Sequence, residues 1–276
     1  MVVKIALYQA RTGLDPAANA GDLVEAISDA AASGAEMLFT PEMSGLLDRD
    51  RSRAAANIHD EATDPVLAAV RTAAAQAGIW VHLGSLALAG GEGGRLVNRG
   101  FVIDRDGEIR ARYDKIHLFD VDLATGESWR ESAAYAAGDR SVVVETPVGK
   151  LGLSICYDLR FPDLYRVLSD AGAAVLSIPA AFTVPTGEAH WHVLMRARAI
   201  EAGVFVIAAA QSGKHEDGRE TYGHSLVVDP WGTILLDMGR DRGVGFAELE
   251  LDQIREVRSR LPAIRHRRRI VEPESL

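Results

Sequence analysis

LGLSICYDLRFPDLYR, residues 151–166, runs from an alternating apolar segment into a proline-led helix start, and between them sits Cys156, the single cysteine of 276 residues. Leu151, Leu153 and Ile155 recur with period two, which predicts a strand with one buried face. Phe161-Pro162-Asp163 carries the residue types that open helices. A strand running directly into a helix points to an α/β chain. The position also suggests chemistry. Backbone N–H groups and the positive end of a helix dipole near a strand end would lower a thiol's pKa, favour the thiolate nucleophile and offer donors to an oxyanion. The alternative is a buried cysteine acting as a small hydrophobe.

The same alternation extends outward along the chain. VVKIALYQ (2–9) and EMLFT (36–40) read as strands, with a helix over 16–33 that Asp15 caps and Pro16 opens. Asp64-Pro65 starts a second helix to about Ala77. WVHLGSLAL and RLVNRGFVID flank the glycine cluster 89–94 and predict a hairpin. That cluster lacks the Lys-Ser/Thr ending and following helix of a phosphate cradle, so it reads as a loop. IRARYDK follows as a strand. Residues 116–140 show no period, and so long a connection is often functional. Two strands around Pro147-Val148-Gly149 come next, then the helix from Pro162, the strand AAVLSIP, a helix from His190 to Gly203, the strand FVIAAAQ, a hairpin around 230–232, a strand VGFAELELD and a helix over 251–261. No linker, repeat or low-complexity segment interrupts this series, which predicts one domain over 1–276 with a C-terminal tail from about 262.

Composition narrows the class. The chain is 47% hydrophobic and 25% charged, ordinary for a soluble globular protein. A formal net charge of −9 disfavours polyanion partners, so no nucleic acid is expected. Arg265-His266-Arg267-Arg268-Arg269 is a local exception that reads as a solvated or salt-bridged tail. The opening residues have no charged region ahead of a long apolar stretch, and the longest apolar runs fall well short of the ~20 residues of a membrane span. One cysteine excludes an intrachain disulfide and fits a reducing compartment. A cytoplasmic protein without membrane association is the expectation.

A nucleophilic thiol needs a base and an electrostatic partner. The usual base is histidine, yet none of the eight stands in a Cys–His context. His190 and His192 are two residues apart at a helix start, so they face different ways. No His-x3-His or Cys-x2-Cys spacing suggests zinc, and no metal is expected. Two charged residues share instead the placement of Cys156: Glu42 in FTPEMS and Lys115 in YDKIHLFD each follow a strand. In α/β sheets such strand ends converge on one edge, where sites form. Taken singly, each would be an ordinary solvated side chain.

FTPEMS, YDKIHLFD and SICYDLRFPDLYR, in that order, resemble the Glu, Lys and Cys segments of the nitrilase (carbon–nitrogen hydrolase) superfamily. The likeness continues through GEAHWHVLMRARAIE (187–201), AAAQSGKHEDGRETYGHSLVVDPWG (208–232) and LPAIRHRRR (261–269). True nitrilases have Cys-Trp-Glu where this chain has Cys156-Tyr157-Asp158. The chain is closer to the amidase branch that holds omega-amidase and deaminated-glutathione amidase. The resemblance implies a four-layer αββα sandwich, commonly a homodimer, and an amidase without cofactor that acts on a small-molecule amide through a cysteine thioester. It implies Glu42 as general base, Lys115 as oxyanion-stabilising cation, Cys156 as nucleophile and Glu131 as the second glutamate near the lysine, with Glu127 as its nearby alternative. Tyr157 would lend its N–H to the oxyanion. The stretch from Phe182 and Thr183 to Gly187 would be a substrate-lining loop. Arg160 resembles a position associated with substrate carboxylates; its other reading is an ion pair with Asp158. Arg196 and Arg198 read as structural. Two rivals remain: a carbamoyl amidohydrolase with the same three residues, and a scaffold with a silent site.

Overall fold

A computed structural model describes residues 1–122, 126 and 128–270. The alternative second glutamate, Glu127, and the last six residues of the tail lie outside the described residues. In chain order the first half contains β1 (Val2–Gln9), α1 (Pro16–Ala32), β2 (Met37–Phe39), α2 (Arg51–Ala54), α3 (Pro65–Ala77), β3 (Trp80–Leu88), β4 (Val97–Ile103), β5 (Ile109–Asp114), β6 (Asp120–Asp122) and β7 (Ser128–Arg130). The second half contains β8 (Val143–Thr146), β9 (Gly149–Leu153), α4 (Pro162–Asp170), β10 (Val175–Ser177), α5 (Val184–Ala202), β11 (Phe205–Ala208), β12 (Ser212–Lys214), β13 (Glu220–Tyr222), β14 (Leu226–Val228), β15 (Ile234–Asp237), β16 (Gly243–Glu250) and α6 (Asp252–Arg260).

Local chemistry sets the helix starts. Asp15 accepts from the Ala17 N–H ahead of α1, and Asp64 accepts from the Leu67 N–H ahead of α3; each helix has proline in its first turn. This satisfies donors that a helix start otherwise leaves open. α5 begins six residues earlier than the sequence predicted, at Val184 rather than His190. Pro185 is compatible with a first turn. Gly187 is required there, because a Cβ would fall 2.2 Å from the Tyr222 ring. The stretch expected to be a loop from Phe182 to Gly187 is therefore a short approach followed by the first turn of a helix. The 116–140 segment holds the hairpin β6–β7 rather than no regular structure.

Two six-stranded sheets form the centre, in the orders β16-β1-β2-β3-β4-β5 and β15-β14-β11-β10-β9-β8. The alternation of β1 shows how they stack. Val3, Ile5 and Leu7 join Leu151, Leu153, Val175 and Phe205 in one core, between the sheets. Ala6 and Tyr8 point the other way, into a second core with Leu23 and Ile27 of α1 and Val66 and Val70 of α3. Leu164 and Leu168 of α4 and Trp191 and Met195 of α5 cover the second sheet and are continuous with the first core. The result is an αββα sandwich, as the resemblance implied, with side-chain alternation assigning each strand residue to one layer.

The topology also gathers strand ends. β1, β2 and β3 are mutually parallel, and β5 regains their direction after two antiparallel pairings through β4. β2 and β5 therefore deliver Glu42 and Lys115 to the same edge. In the second sheet β9, β10 and β11 are parallel, which brings the residues after β9 beside those after β10. Gly84, at a break in the β3 register, permits the close approach: a Cβ there would lie 2.1 Å from the Thr40 carbonyl oxygen, two residues before Glu42.

Candidate active site

Glu42, Lys115 and Cys156 meet at this edge, each buried. Lys115 Nζ donates to Glu42 Oε1 at 2.8 Å and to both oxygens of Glu131, at 3.1 and 2.9 Å. The second Glu42 oxygen accepts from the Ala181 N–H at 2.9 Å, which ties the base-like carboxylate of one sheet to the strand-end loop of the other. Cys156 shares this corner with Glu42, and each perturbs the other's hold on a proton. Glu131 is itself fixed by the Phe119 N–H at 2.6 Å. Asn98, on β4 and buried, was not singled out from sequence. Its Nδ2 donates to Glu42 at 2.9 Å and to Glu131 at 3.3 Å, so it holds the two carboxylates in register. A lone asparagine inside a strand offers no signal until its neighbours are known.

Burial alone would discharge these groups, and the charges oppose it. Burial pushes Glu42 up, but the Lys115 charge and hydrogen bonds outweigh it, and the carboxyl is held below its ordinary value. Burial pushes Lys115 down; Glu131 and then Glu42 reverse this and raise it well above the lysine range. Cys156 is raised well above the ordinary thiol value, first by burial and then by the negative charge of Glu42, with Lys115 acting the other way. The expectation of a depressed thiol pKa is thus corrected. A 3-10 turn, Cys156–Arg160, separates Cys156 from α4, and the Glu42 charge acts on the thiol more strongly than that of Lys115. At neutral pH the site holds a carboxylate, an ammonium and a protonated thiol.

The cysteine backbone is held in the left-handed region, φ 49°, which non-glycine residues rarely adopt and which recurs at functional positions. Its N–H is taken by the Pro179 carbonyl at 2.9 Å, and the Asp158 N–H by the Ile155 carbonyl at 3.1 Å. Among the described residues no acceptor meets the Tyr157 N–H between them. Asp158 stabilises the turn from beneath. Its fully buried carboxylate accepts from the Ile155 N–H (2.9 Å), the Tyr113 hydroxyl (2.7 Å) and the His117 N–H (3.0 Å), and also contacts His117 Nδ1 (2.7 Å). It therefore joins the cysteine turn to the segment that carries Lys115.

The three groups open onto a cavity of about 970 Å³ also lined by Glu131, Tyr157, Phe182 and Thr183. No histidine among the described residues lines it, which leaves Glu42 as the available base. Arg160 lies apart from the lining. Its guanidinium sits over the Phe182 ring, 5.5 Å from the centroid, and 3.4 Å from His190 Nδ1, and Asp158 is engaged by other donors. The Asp158 ion pair read for Arg160 is not formed. Besides Lys115, the cations at the cavity wall among the described residues are Arg49, Arg51, Arg130 and Arg219, none singled out from sequence. Arg49 and Arg219 arrive from loops, Arg51 from the start of α2 and Arg130 from the end of β7, short elements with no periodic signal. Arg196 and Arg198 bond to the Gly232 and Leu159 carbonyls, the structural role expected of them.

Residues 4–259 match the carbon-nitrogen hydrolase family. The chain belongs to that family, and it is a hydrolase of carbon–nitrogen bonds. It is 40% identical over 239 residues to a deaminated glutathione amidase of Yersinia enterocolitica, an alignment covering 86% of this chain and 83% of that one. A deaminated glutathione amidase of Bos taurus is 37% identical over 268 residues, covering 96% of this chain and 81% of the other. Among solved structures, the C. elegans NitFhit protein superposes with a TM-score of 0.89 at 37% identity; the match covers 97% of this chain and 65% of that longer one. Among the described residues no helix is long and apolar enough to cross a membrane.

Proposed function

We propose that this carbon–nitrogen hydrolase cleaves the terminal amide of a small carboxylate-bearing substrate, deaminated glutathione or an omega-monoamide of a dicarboxylate, through a Cys156 thioester. The observation that carries the reading is the meeting of Glu42, Lys115 and Cys156 in one water-poor corner of a large cavity. Glu42 removes the Sγ proton as sulfur bonds to the amide carbon. The Lys115 ammonium, whose positive charge stands beside the sulfur, and the Tyr157 N–H meet the charge that develops on the amide oxygen. Losing one such donor costs about 3 kcal/mol in the transition state. Glu42 then passes the proton to nitrogen, the C–N bond breaks and ammonia leaves. A water deprotonated by Glu42 attacks the thioester carbon, the C–S bond breaks, and sulfur regains the proton. Splitting amide hydrolysis in two lowers the single high barrier. A resting thiol paired with an ionised carboxylate suits this order, since the proton moves only as the substrate is attacked.

The substrate class draws on the names of the relatives and on the four arginines at the cavity wall, since guanidinium groups suit carboxylates. Ammonia release from deaminated glutathione, α-ketoglutaramate, glutamine and N-carbamoyl amino acids tests it. Turnover of the first two and a dead Cys156→Ala variant are expected. Preference for the carbamoyl compounds would move the chain to the carbamoyl hydrolases, and inertness to all would leave a scaffold. We also propose a homodimer in a reducing, cytoplasmic compartment. The single cysteine supports the compartment. Exposed Val193, Ile200 and Trp231 on the α5 layer support a second copy covering that face; light scattering on Val193→Glu tests it, with a monomer expected.

A further inference from the structure

His192, His224 and Asp237 form a second polar cluster, away from the cavity lining, that chain spacing conceals. His192 comes from α5, His224 from the segment before β14, and Asp237 is the last residue of β15. His192 Nε2 lies 2.9 Å from Asp237 Oδ2, and His224 Nδ1 lies 2.8 Å from Asp237 Oδ1. One donor atom from each residue falls within 4.8 Å of the others, the single such grouping of three ligand-type side chains among the described residues. We propose that these residues form a divalent transition-metal site that takes Zn²⁺ or Ni²⁺ through two imidazole nitrogens and one carboxylate oxygen.

The donor set is the first support. Two neutral imidazoles and a carboxylate suit zinc and nickel, and three protein ligands leave room for water. The spacing is the second. Bonds of about 2.1 Å in tetrahedral geometry place ligand atoms about 3.4 Å apart. The N···O contacts here open to that value by small rotations of half-exposed side chains, whose relative exposures are 29, 21 and 32%. Rigidity is the third. His224 has φ 55°, its N–H is held by the Gly239 carbonyl, and its own carbonyl accepts from buried Trp191 Nε1 at 2.8 Å. Tyr222 stacks on His224, with centroids 4.4 Å apart, and meets His192 edge-on. Asp237 Oδ1 accepts from the Gly239 N–H at 2.9 Å, which orients the carboxylate. The nearby Arg240 charge is paired with Glu188 at 3.0 Å.

Such an ion would fasten α5 to the strand end beyond β13, two elements that also border the cavity through Thr186 and Thr221. Calorimetric titration of untagged, chelator-treated protein with Zn²⁺ and Ni²⁺ tests the site. One ion per chain is expected at pH 7.5. His192→Gln and Asp237→Asn, which keep polar side chains of similar size, are each expected to weaken binding more than about tenfold while circular dichroism stays unchanged. Binding that persists in both variants, that vanishes in Cys156→Ala, or that is absent from the wild type at 100 µM, a concentration of about the order at which open sites fill, would overturn the assignment.

Discussion

The site around Lys115 and the cluster around Asp237 use the same ingredients, a few titratable groups within hydrogen-bonding distance, and differ in burial. At Lys115 the groups are buried, so every charge must be answered by another charge: one ammonium stands between Glu42 and Glu131. At Asp237 solvent shares the work, and two imidazoles suffice around one carboxylate. Burial makes the first arrangement intolerant of loss. Exposure makes the second exchangeable, open to protons or to an ion. Two substitutions should expose the contrast most sharply. Cys156→Ala abolishes ammonia release and leaves the melting temperature unchanged, because a small side chain replaces a neutral thiol. Lys115→Met removes the cation from between two carboxylates, and both activity and fold should suffer. Breaking a buried pair in this way costs about 3–5 kcal/mol. A Lys115→Met enzyme that melts like wild type would mean that the glutamates are not charged in the folded state. Asp237→Asn, by comparison, should leave the melting temperature within a few degrees.

A step smaller, Asp158→Asn turns one acceptor oxygen of the cysteine turn into a donor. The Ile155 N–H, Tyr113 hydroxyl and His117 contacts that it holds cannot all be retained. Leaving a buried donor unmet costs about 1–3 kcal/mol. The expected signature is a fall in kcat larger than any rise in KM, since the nucleophile is misplaced and the cavity wall is intact. A pure KM effect would assign Asp158 to substrate binding instead.

These residues were not equally legible in the sequence. Glu42, Lys115, Cys156 and Glu131 lie in runs that resemble a known family, and three of them follow strands whose period is plain. Their convergence follows once β2, β5 and β9 run the right way. Asn98 and Asp158 were silent as site residues, because each acts through partners more than 15 residues away that only the folded chain brings near. His192 was weighed only against His190, two residues away, whereas Asp237, its partner in the fold, lies 45 residues on. The thiol's pKa was misjudged from a helix dipole. Burial, and after it the negative charge of Glu42, outweighs a helix end that lies beyond a 3-10 turn.

Shifted pKa values give the comparison a pH axis. Glu42 is lowered, so its stabilising contribution is present above its ordinary value of 4.5 and is lost as pH falls through the folded value. Lys115 is raised, so its contribution is present below 10.5 and is lost as pH rises through the folded value. Cys156 is raised too; above 9.0 the unfolded thiol ionises while the folded one does not, which erodes stability on the alkaline side. Thermal melts of Cys156→Ala should therefore match wild type near neutrality and exceed it above pH 9. Alkylation of Cys156 by a reagent that is not an amide should be slower at pH 7 than that of a free cysteine, because the thiolate is the reactive form. Fast labelling at pH 7 would show that the thiolate is already present without substrate.

The smallest effect concerns which arginines see the substrate. Arg160 stacks on Phe182 and touches His190, whereas Arg49 lines the cavity. If position relative to the cavity decides, Arg160→Ala should change KM for anionic amides less than twofold and lower stability by about 0.5–1 kcal/mol through the lost cation–π contact. Arg49→Ala should do the reverse, raising KM for carboxylate-bearing amides severalfold with no change for neutral ones and little change in melting. Steady-state kinetics on a matched pair, α-ketoglutaramate and a neutral aliphatic amide, separates the two. A selective KM rise in Arg160→Ala would require that residue to swing from the aromatic ring into the cavity when substrate binds, and Arg49 would then lose its claim to the carboxylate.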